Sequence, residues 1–178
     1  QHLITRLRNG NLDLAIMALP SEATGMVDSP LYTEKFSIVC PPDHPIAGRE
    51  DVELAELKDL DLLLLDDGHC LRDQVVDLCR HADINPAEAT NSVTRASSLT
   101  TIMQLVMGGL GCTLVPESAL ATECHGKDVA IAHFASDVTA EREVGLVFRS
   151  SAARAEEFRE FGTLITSAYN KAIERSRQ

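Results

Sequence analysis

The sequence predicts an α/β fold with mostly parallel sheets and helices on both of their faces. Three observations predict this class. Segments with strand character alternate with segments of helical spacing almost throughout the 178 residues. Apolar residues make up 44% of the chain, which is enough for a hydrophobic core in one domain or two small lobes. No apolar run approaches the roughly 20 residues that a membrane span requires.

The first part of the chain is predicted to form a helix and then two strands. Residues 1–8 place three apolar side chains on one helical face, and Asn9-Gly10 supplies a helix stop. Residues 12–19 are largely apolar and residues 31–40 alternate apolar with polar side chains, so both segments are predicted strands. The proline-rich loop that begins at Pro41 prevents the second strand from continuing.

The alternation continues through the middle of the chain. Spacing of apolar residues predicts a short helical turn at 54–57, a buried strand at 62–65, a helix at 71–82 and a strand near 89–94. A helix from about Ser98 to Met107 follows, and either Ser97 or Ser98 is a suitable cap for it. Gly108-Gly109 ends this helix, and the glycine cluster precedes a strand, so it lacks the context of a phosphate-binding loop.

The last part of the chain completes the pattern. It is predicted to contain a strand at 111–115, a short helix opened by Pro116, strands near 128–133 and 142–149, and a helix from about 153 to 175. In sheets of this kind, ligands bind beyond the carboxyl ends of the strands, and Cys70 lies at such an end. Because the sequence starts at a helix with no strand before it, we expect it to begin inside a domain.

Charge and cysteine usage limit the possible functions. The formal net charge of −11 argues against direct contact between these residues and a phosphate backbone, which requires clustered Lys and Arg. Five cysteines, an odd number, without a signal peptide indicate reduced thiols in the cytoplasm. Cys40 and Cys112 lie in apolar strands and are expected in the core. Cys124-His125 is too small a ligand set to indicate a metal, and we expect no metal and no cofactor.

The segment around Cys70 is the part of the chain that packing explains least. A glycine after two acidic residues ends an apolar run, and the residues after Cys70 have helical spacing. Cys70 is therefore predicted at a helix start, where backbone amides and the neighbouring His69 and Arg72 favour the thiolate, the nucleophilic form. We expect a reactive cysteine here, with Arg72 as a solvated charge on the helix face.

Cys79 follows Cys70 by nine positions. In one continuous helix the two Cα atoms would be about 13 Å apart, on opposite faces. A disulfide requires Cα atoms within roughly 7 Å. The pair therefore either never bonds or bonds only after the helix unwinds, and a bond that forces refolding is a two-state switch.

Several segments resemble the regulatory domain of LysR-type transcriptional regulators. They are Leu7, Gly10, 12–16, Asp43-His44-Pro45-Ile46-Ala47, and 109–116. With 67–74, Cys79 and 142–149 added, the resemblance narrows to the hydrogen-peroxide-sensing members, of an actinobacterial kind. It covers nearly the whole chain, and the His-Cys segment is its most specific part.

This resemblance implies a periplasmic-binding-protein-like fold of two lobes. Lobe one would comprise residues 1–33 and 139–178 and would be incomplete at its N-terminal part, and lobe two would comprise 34–138. A winged helix-turn-helix DNA-binding domain would lie outside this sequence. The family also implies a homo-oligomer, a dimer or a tetramer built from two kinds of dimer, and contact with DNA through that further domain. RNA polymerase would be a possible partner, and no membrane would be involved.

The resemblance also implies the site residues. Cys70 would be the peroxidatic cysteine and Cys79 the resolving cysteine, with His69, Asp73 and Arg142 around hydrogen peroxide. The Cys70 sulfenic acid would condense with Cys79. Arg142 would stabilise the leaving oxygen, and His69 would hydrogen-bond the thiolate or assist proton transfer. Asp73 would cap its helix turn or anchor Arg142 or His69, unless it only complements the helix dipole.

The sequence is compatible with three functions. The first is a redox-switched regulator domain, not an enzyme, that reacts with peroxide without rapid turnover. The second is an ordinary effector domain that binds a small organic anion with Cys70 dispensable. The third is a thiol peroxidase, which shares the first chemical step but must cycle many times, whereas a sensor would be recycled slowly by thioredoxin or glutaredoxin.

Overall fold

The structure is a computed structural model that describes residues 2–67, 70–84 and 95–176. The chain divides into two compact units. The first unit comprises Gln1–Glu34 and Arg142–Gln178, and the second comprises Lys35–Glu141. Two segments of chain therefore pass from one unit to the other, and both do so within β-strands.

The elements follow in the predicted order. The helices are α1 (His2–Arg8), α2 (Cys70–His81), α3 (Leu99–Met107), α4 (Glu117–Glu123) and α5 (Ala155–Ser176), with a 3₁₀ helix at Leu54–Asp59. The strands are β1 (Leu14–Ala18), β2 (Met26–Cys40), β3 (Leu64–Leu65), β4 (Arg95–Ala96), β5 (Thr113–Pro116), β6 (Ala130–His133) and β7 (Glu141–Arg149). The strand predicted near 89–94 lies outside the described residues. Within the described ranges, no helix is both long and apolar enough to cross a membrane.

The first unit is built on strand β7. Strand β1 pairs with it antiparallel, with Leu14 opposite Phe148 and Ala18 opposite Val144. Because strand side chains alternate, Leu146 and Phe148 pack toward α5, where the ring of Phe158 meets Phe148 edge-on at 5.4 Å. Val147 points to the other face and packs with Leu7 of α1. Helices on both faces thus explain why β7 is buried over five consecutive residues.

The second unit has the same two-faced arrangement. In β2, Ile38 and Cys40 belong to one apolar cluster and Val39 to another. Helix α2 covers the first cluster, and α3 covers the second through three apolar side chains, Ile102, Met103 and Val106. Helix α3 begins as predicted at the cap Ser98, whose hydroxyl accepts a hydrogen bond from the Thr101 amide at 3.2 Å.

The α/β class is confirmed, but the expected parallel pairing needs correction. Among the strands whose register is described, β3 and β4 are parallel, while β2 is antiparallel to both β5 and β6. Strands β5 and β6 lie on either side of β2 and thus run in the same direction, as the helix α4 between them requires. Strand β2 inserts between these two strands, and periodicity does not reveal which strands become neighbours.

Candidate redox site

Cys70 is the first residue of α2, as the sequence predicted. Strand β3 ends at Leu65, and the Asp66 amide donates to the Ala96 carbonyl at 3.0 Å, which keeps the chain on β4 before it leaves the sheet. The thiol of Cys70 is exposed. It stands beyond the carboxyl end of a parallel strand and at the start of a helix, where backbone amides favour negative charge. Predicted site residue His69, with Gly68, lies outside the described residues.

Cys79 lies on the buried side of the same helix. It is 1% exposed and packs in the cluster that holds Val75, Leu78 and Ile84. Burial raises the pKa of the Cys79 thiol above its ordinary value, so this thiol is kept neutral. The two cysteines therefore differ in kind: one thiol meets solvent at a helix terminus, and the other is protected inside an apolar core.

The helix between the two cysteines is continuous, since α2 runs from Cys70 to His81. Nine residues at the helical rise separate the two Cα atoms by about 13 Å, nearly twice the limit for a disulfide. Both thiols are free in this structure. A bond between them accordingly requires α2 to unwind and Cys79 to leave its apolar cluster.

Arg72 corrects a prediction from the sequence. Its side chain is only 21% exposed, and it forms ion pairs with Asp67 at 2.9 Å and Asp73 at 3.7 Å. Its Nε is buried and has no hydrogen-bond partner in the described part of the chain. The interpretation of Arg72 as a solvated charge on the helix face is therefore wrong. The acidic residues that flank it in sequence were the available signal for a paired arginine.

Asp73 is in the first turn of α2, and its side chain is 63% exposed. Its carboxylate faces Arg72, and its position in the first turn suits the helix dipole. The structure thus pairs Asp73 with a partner that the sequence reasoning had set aside. Its expected contacts with His69 and Arg142 stay predictions.

Arg142 belongs to the first unit, where it is paired with a buried carboxylate. Its Nε donates to Oε1 of Glu34 at 2.7 Å, and its Nη2 lies 2.5 Å from the same oxygen. The Glu34 side chain is fully buried, whereas that of Arg142 is 20% exposed. Glu34 is a residue that the sequence reasoning missed, because an acidic residue in an alternating strand gives no signal of burial. The role of Arg142 toward Cys70 stays a prediction.

The remaining three cysteines are poor candidates for reaction. Cys40 and Cys112 are buried in the core, as predicted, and burial raises the pKa of both thiols, that of Cys112 to about 12. Cys124 is half-buried, and burial raises its pKa as well. Cys70 is thus the one exposed thiol of the five. Among the described residues, no group of three or more His, Cys, Asp and Glu side chains could hold a metal ion.

A family model, the LysR substrate binding domain, matches residues 1–169. The chain therefore belongs to the LysR substrate binding domain family.

The chain is 47% identical over 165 residues to a probable hydrogen peroxide-inducible genes activator of Mycobacterium avium. The match covers 93% of this chain and 52% of that protein, so the chain spans about half the length of the curated relatives it matches. It is also similar to a cysteine mutant of Corynebacterium glutamicum OxyR with H₂O₂ bound, at 60% identity and a TM-score of 0.94. That match covers 97% of this chain and 54% of that one. Within the LysR substrate binding domain family, the chain is therefore of the OxyR type.

The oxidized form of the C. glutamicum protein gives a lower structural similarity. The TM-score is 0.84, at 58% identity, over 99% of this chain and 54% of that one. Sequence identity is nearly the same for both structures, so the difference in TM-score reflects a difference between the two structures rather than between the sequences.

Proposed function

We propose that this chain is the peroxide-sensing regulatory domain of a LysR-type transcription regulator. One observation carries the proposal. Cys70 is the exposed thiol of the chain, at a helix start, while Cys79 is buried in the same helix at a distance that prevents a disulfide. A structural disulfide would have its cysteines in bonding geometry, whereas a sensor needs a reactive thiol whose bonding changes the fold.

The first step is oxidation of Cys70. The Cys70 thiolate attacks one peroxide oxygen, the S–O bond forms as the O–O bond breaks, and hydroxide leaves. Two electrons pass from sulfur to peroxide, and the product is a sulfenic acid. Negative charge develops on the leaving oxygen, where the N–H groups of Arg142 would stabilise it. His69 would hydrogen-bond the Cys70 thiolate or assist proton transfer. Asp73 would anchor Arg142 or His69 through a charge-assisted hydrogen bond.

The second step couples this chemistry to the fold. The Cys79 thiol attacks the Cys70 sulfenic sulfur, the S–S bond forms, and the S–O bond breaks with release of water. Because Cys79 is 1% exposed, α2 must first unwind and withdraw its apolar residues from the core. The lower TM-score against the oxidized C. glutamicum protein supports a change of conformation between the forms of that relative.

In the complete regulator, this rearrangement would change how protomers pack in a dimer or tetramer. We propose that the two compact units correspond to the two lobes of the regulatory domain. A DNA-binding domain outside this chain would then respond through its spacing on an operator, with RNA polymerase as a possible further partner. Thioredoxin or glutaredoxin would reduce the disulfide slowly in the cytoplasm. Because an enzyme must turn over many times, slow reduction fits a sensor, and we propose a sensor rather than an enzyme.

The test uses near-stoichiometric hydrogen peroxide, followed by alkylation and mass-spectrometric mapping of all five cysteines. We expect selective loss of the free thiol at Cys70 and a new link to Cys79. Cys70→Ser should abolish peroxide consumption, and Cys124→Ser, which removes the half-buried thiol, is the matched control and should leave it unchanged. Equal consumption by wild type and Cys70→Ser would refute the proposal and favour a domain that binds a small organic anion.

A second measurement separates a sensor from a thiol peroxidase. With thioredoxin or glutaredoxin present, peroxide in excess should be consumed in about one equivalent per chain before the rate falls. Sustained consumption of many equivalents would show a peroxidase instead.

A further inference from the structure

The ion pair between Glu34 and Arg142 is the most deeply buried charged contact described in the first unit. The Glu34 side chain has no exposed surface. Removing a carboxylate from water costs several kcal/mol, and a buried ion pair often recovers no more than that cost. Replacement of such pairs by apolar residues is often neutral or stabilising, so stability alone does not account for this one.

The geometry of the pair fixes the orientation of the guanidinium. Nε and Nη2 of Arg142 both approach Oε1 of Glu34, at 2.7 and 2.5 Å. Two nitrogens of one edge that converge on the same oxygen restrict the orientation of the guanidinium more than a single contact would. Since the Arg142 side chain is 20% exposed and that of Glu34 is 0%, only the arginine can reach a reactant from this cluster.

An aromatic stack supports the strand that carries Glu34. The ring of Tyr32, two residues earlier in β2, stacks on Tyr169 of α5 with centroids 3.8 Å apart and planes 8° from parallel. Burial and the nearby Glu34 charge raise the pKa of Tyr32, while Arg142 acts in the opposite direction. Both charges are therefore close to Tyr32, and helix α5 packs against this part of β2.

We propose that Glu34 is a positioning residue for peroxide reduction, and this inference rests on the proposed role of Arg142. Glu34 holds the Arg142 N–H donors in one orientation before peroxide arrives. Donors that are already aimed at the leaving oxygen need no reorganisation when charge develops there. The Glu34–Arg142 pair is neutral as a whole. The leaving oxygen would therefore be stabilised by the N–H groups of Arg142 at fixed positions rather than by net positive charge.

The test compares variants of the full-length protein that carries this chain. Arg142→Gln should lower the rate constant for Cys70 oxidation by roughly a hundredfold, the usual effect of losing one donor to an oxyanion. Glu34→Gln should lower it by roughly tenfold, because the donor remains but loses its orientation. Glu157→Gln is the matched control: it breaks an exposed Glu–Arg pair in the same unit, with Arg154 at 2.7 Å, and should leave the rate unchanged.

A double mutant separates positioning from a purely structural role. If Glu34 acts only through Arg142, the double variant Glu34→Gln/Arg142→Gln should be no slower than Arg142→Gln alone. Additive losses would overturn the inference. Alkylation of the buried Cys79 by iodoacetamide reports on folding in every variant. If Glu34→Gln makes Cys79 reactive, Glu34→Asp, which keeps the charge but shortens the reach, becomes the test variant with the same two outcomes.

The outcomes also distinguish this inference from the proposed function. A slow Arg142→Gln with an unchanged Glu34→Gln would overturn the positioning role and leave the peroxide-sensing function intact. If neither Arg142→Gln nor Cys70→Ser altered peroxide consumption, the proposed function would fail and the inference with it.

Discussion

Disulfide formation in this chain should depend on the helix propensity of an exposed residue that lies between the two cysteines in α2. Asp77 lies in α2 between Cys70 and Cys79, and its side chain is 57% exposed. We compare Asp77→Ala with Asp77→Gly. Both variants lose the 2.9 Å ion pair with Arg80, so that they differ mainly in the cost of keeping this residue helical.

The magnitude follows from the structure. Glycine destabilises a helix interior by about 1 kcal/mol relative to alanine, and unwinding removes that difference. The unwound state of α2 should therefore be about five times more populated in Asp77→Gly than in Asp77→Ala. The same opening must expose Val75 and Leu78, which are buried in the core, at about 1.5 to 3 kcal/mol for each side chain. The open state is consequently rare, and the rate of the second step should scale with its population.

The assay is rapid mixing with peroxide, acid quenching and mass spectrometry of the Cys70 and Cys79 peptides. The first step, formation of the sulfenic acid, should have the same rate in both variants because Cys70 is exposed before α2 opens. The disulfide should then form about five times faster in Asp77→Gly. Equal disulfide rates in the two variants would refute the claim that α2 must unwind.

Three further outcomes can be checked. Cys79→Ser should still oxidise at Cys70, but mass spectrometry should find a persistent or over-oxidised sulfenic acid and no disulfide. Ser98→Ala should lower the free energy of unfolding by about 1 kcal/mol in urea titrations, because it removes the cap of α3, whereas Ser97→Ala should not. Burial raises the pKa of Cys112 from 9.0 to about 12, so the folded protein retains a proton that the unfolded chain releases. The free energy of unfolding should therefore fall as pH rises from about 9 to 12. In Cys112→Ala this fall should be smaller, because about one proton fewer is released on unfolding.

Helix α3 shows how much local sequence could predict about the fold. Its cap at Ser98 and its end at Gly108 both follow from interactions within a few residues. The position of β2 shows the limit. Its strand begins at Met26, earlier than predicted, and it lies between β5 and β6, which depends on contacts between residues far apart in sequence. Periodicity reports the environment of one segment and not the identity of its neighbours.

The candidate site divides in the same way. The position of Cys70 at a helix start was predictable, since a glycine break and helical spacing are local signals. The burial of Arg72 was not predicted, although its partners Asp67 and Asp73 lie close to it in sequence. Glu34 was missed for a stronger reason: its partner Arg142 is 108 positions away and gives no sign in the local pattern.

By itself, the sequence determined the class of fold, the order of the elements and the helix that holds both cysteines, because each follows from short-range spacing and capping. It also determined that this helix separates the two cysteines too far for a disulfide, which is a property of helix geometry alone. For the redox pair, tertiary structure decided that the Cys70 thiol is exposed and the Cys79 thiol is buried. It also decided that Glu34 is the carboxylate that meets Arg142. Burial and ion pairing depend on surfaces that are distant in sequence and come together only when the chain folds.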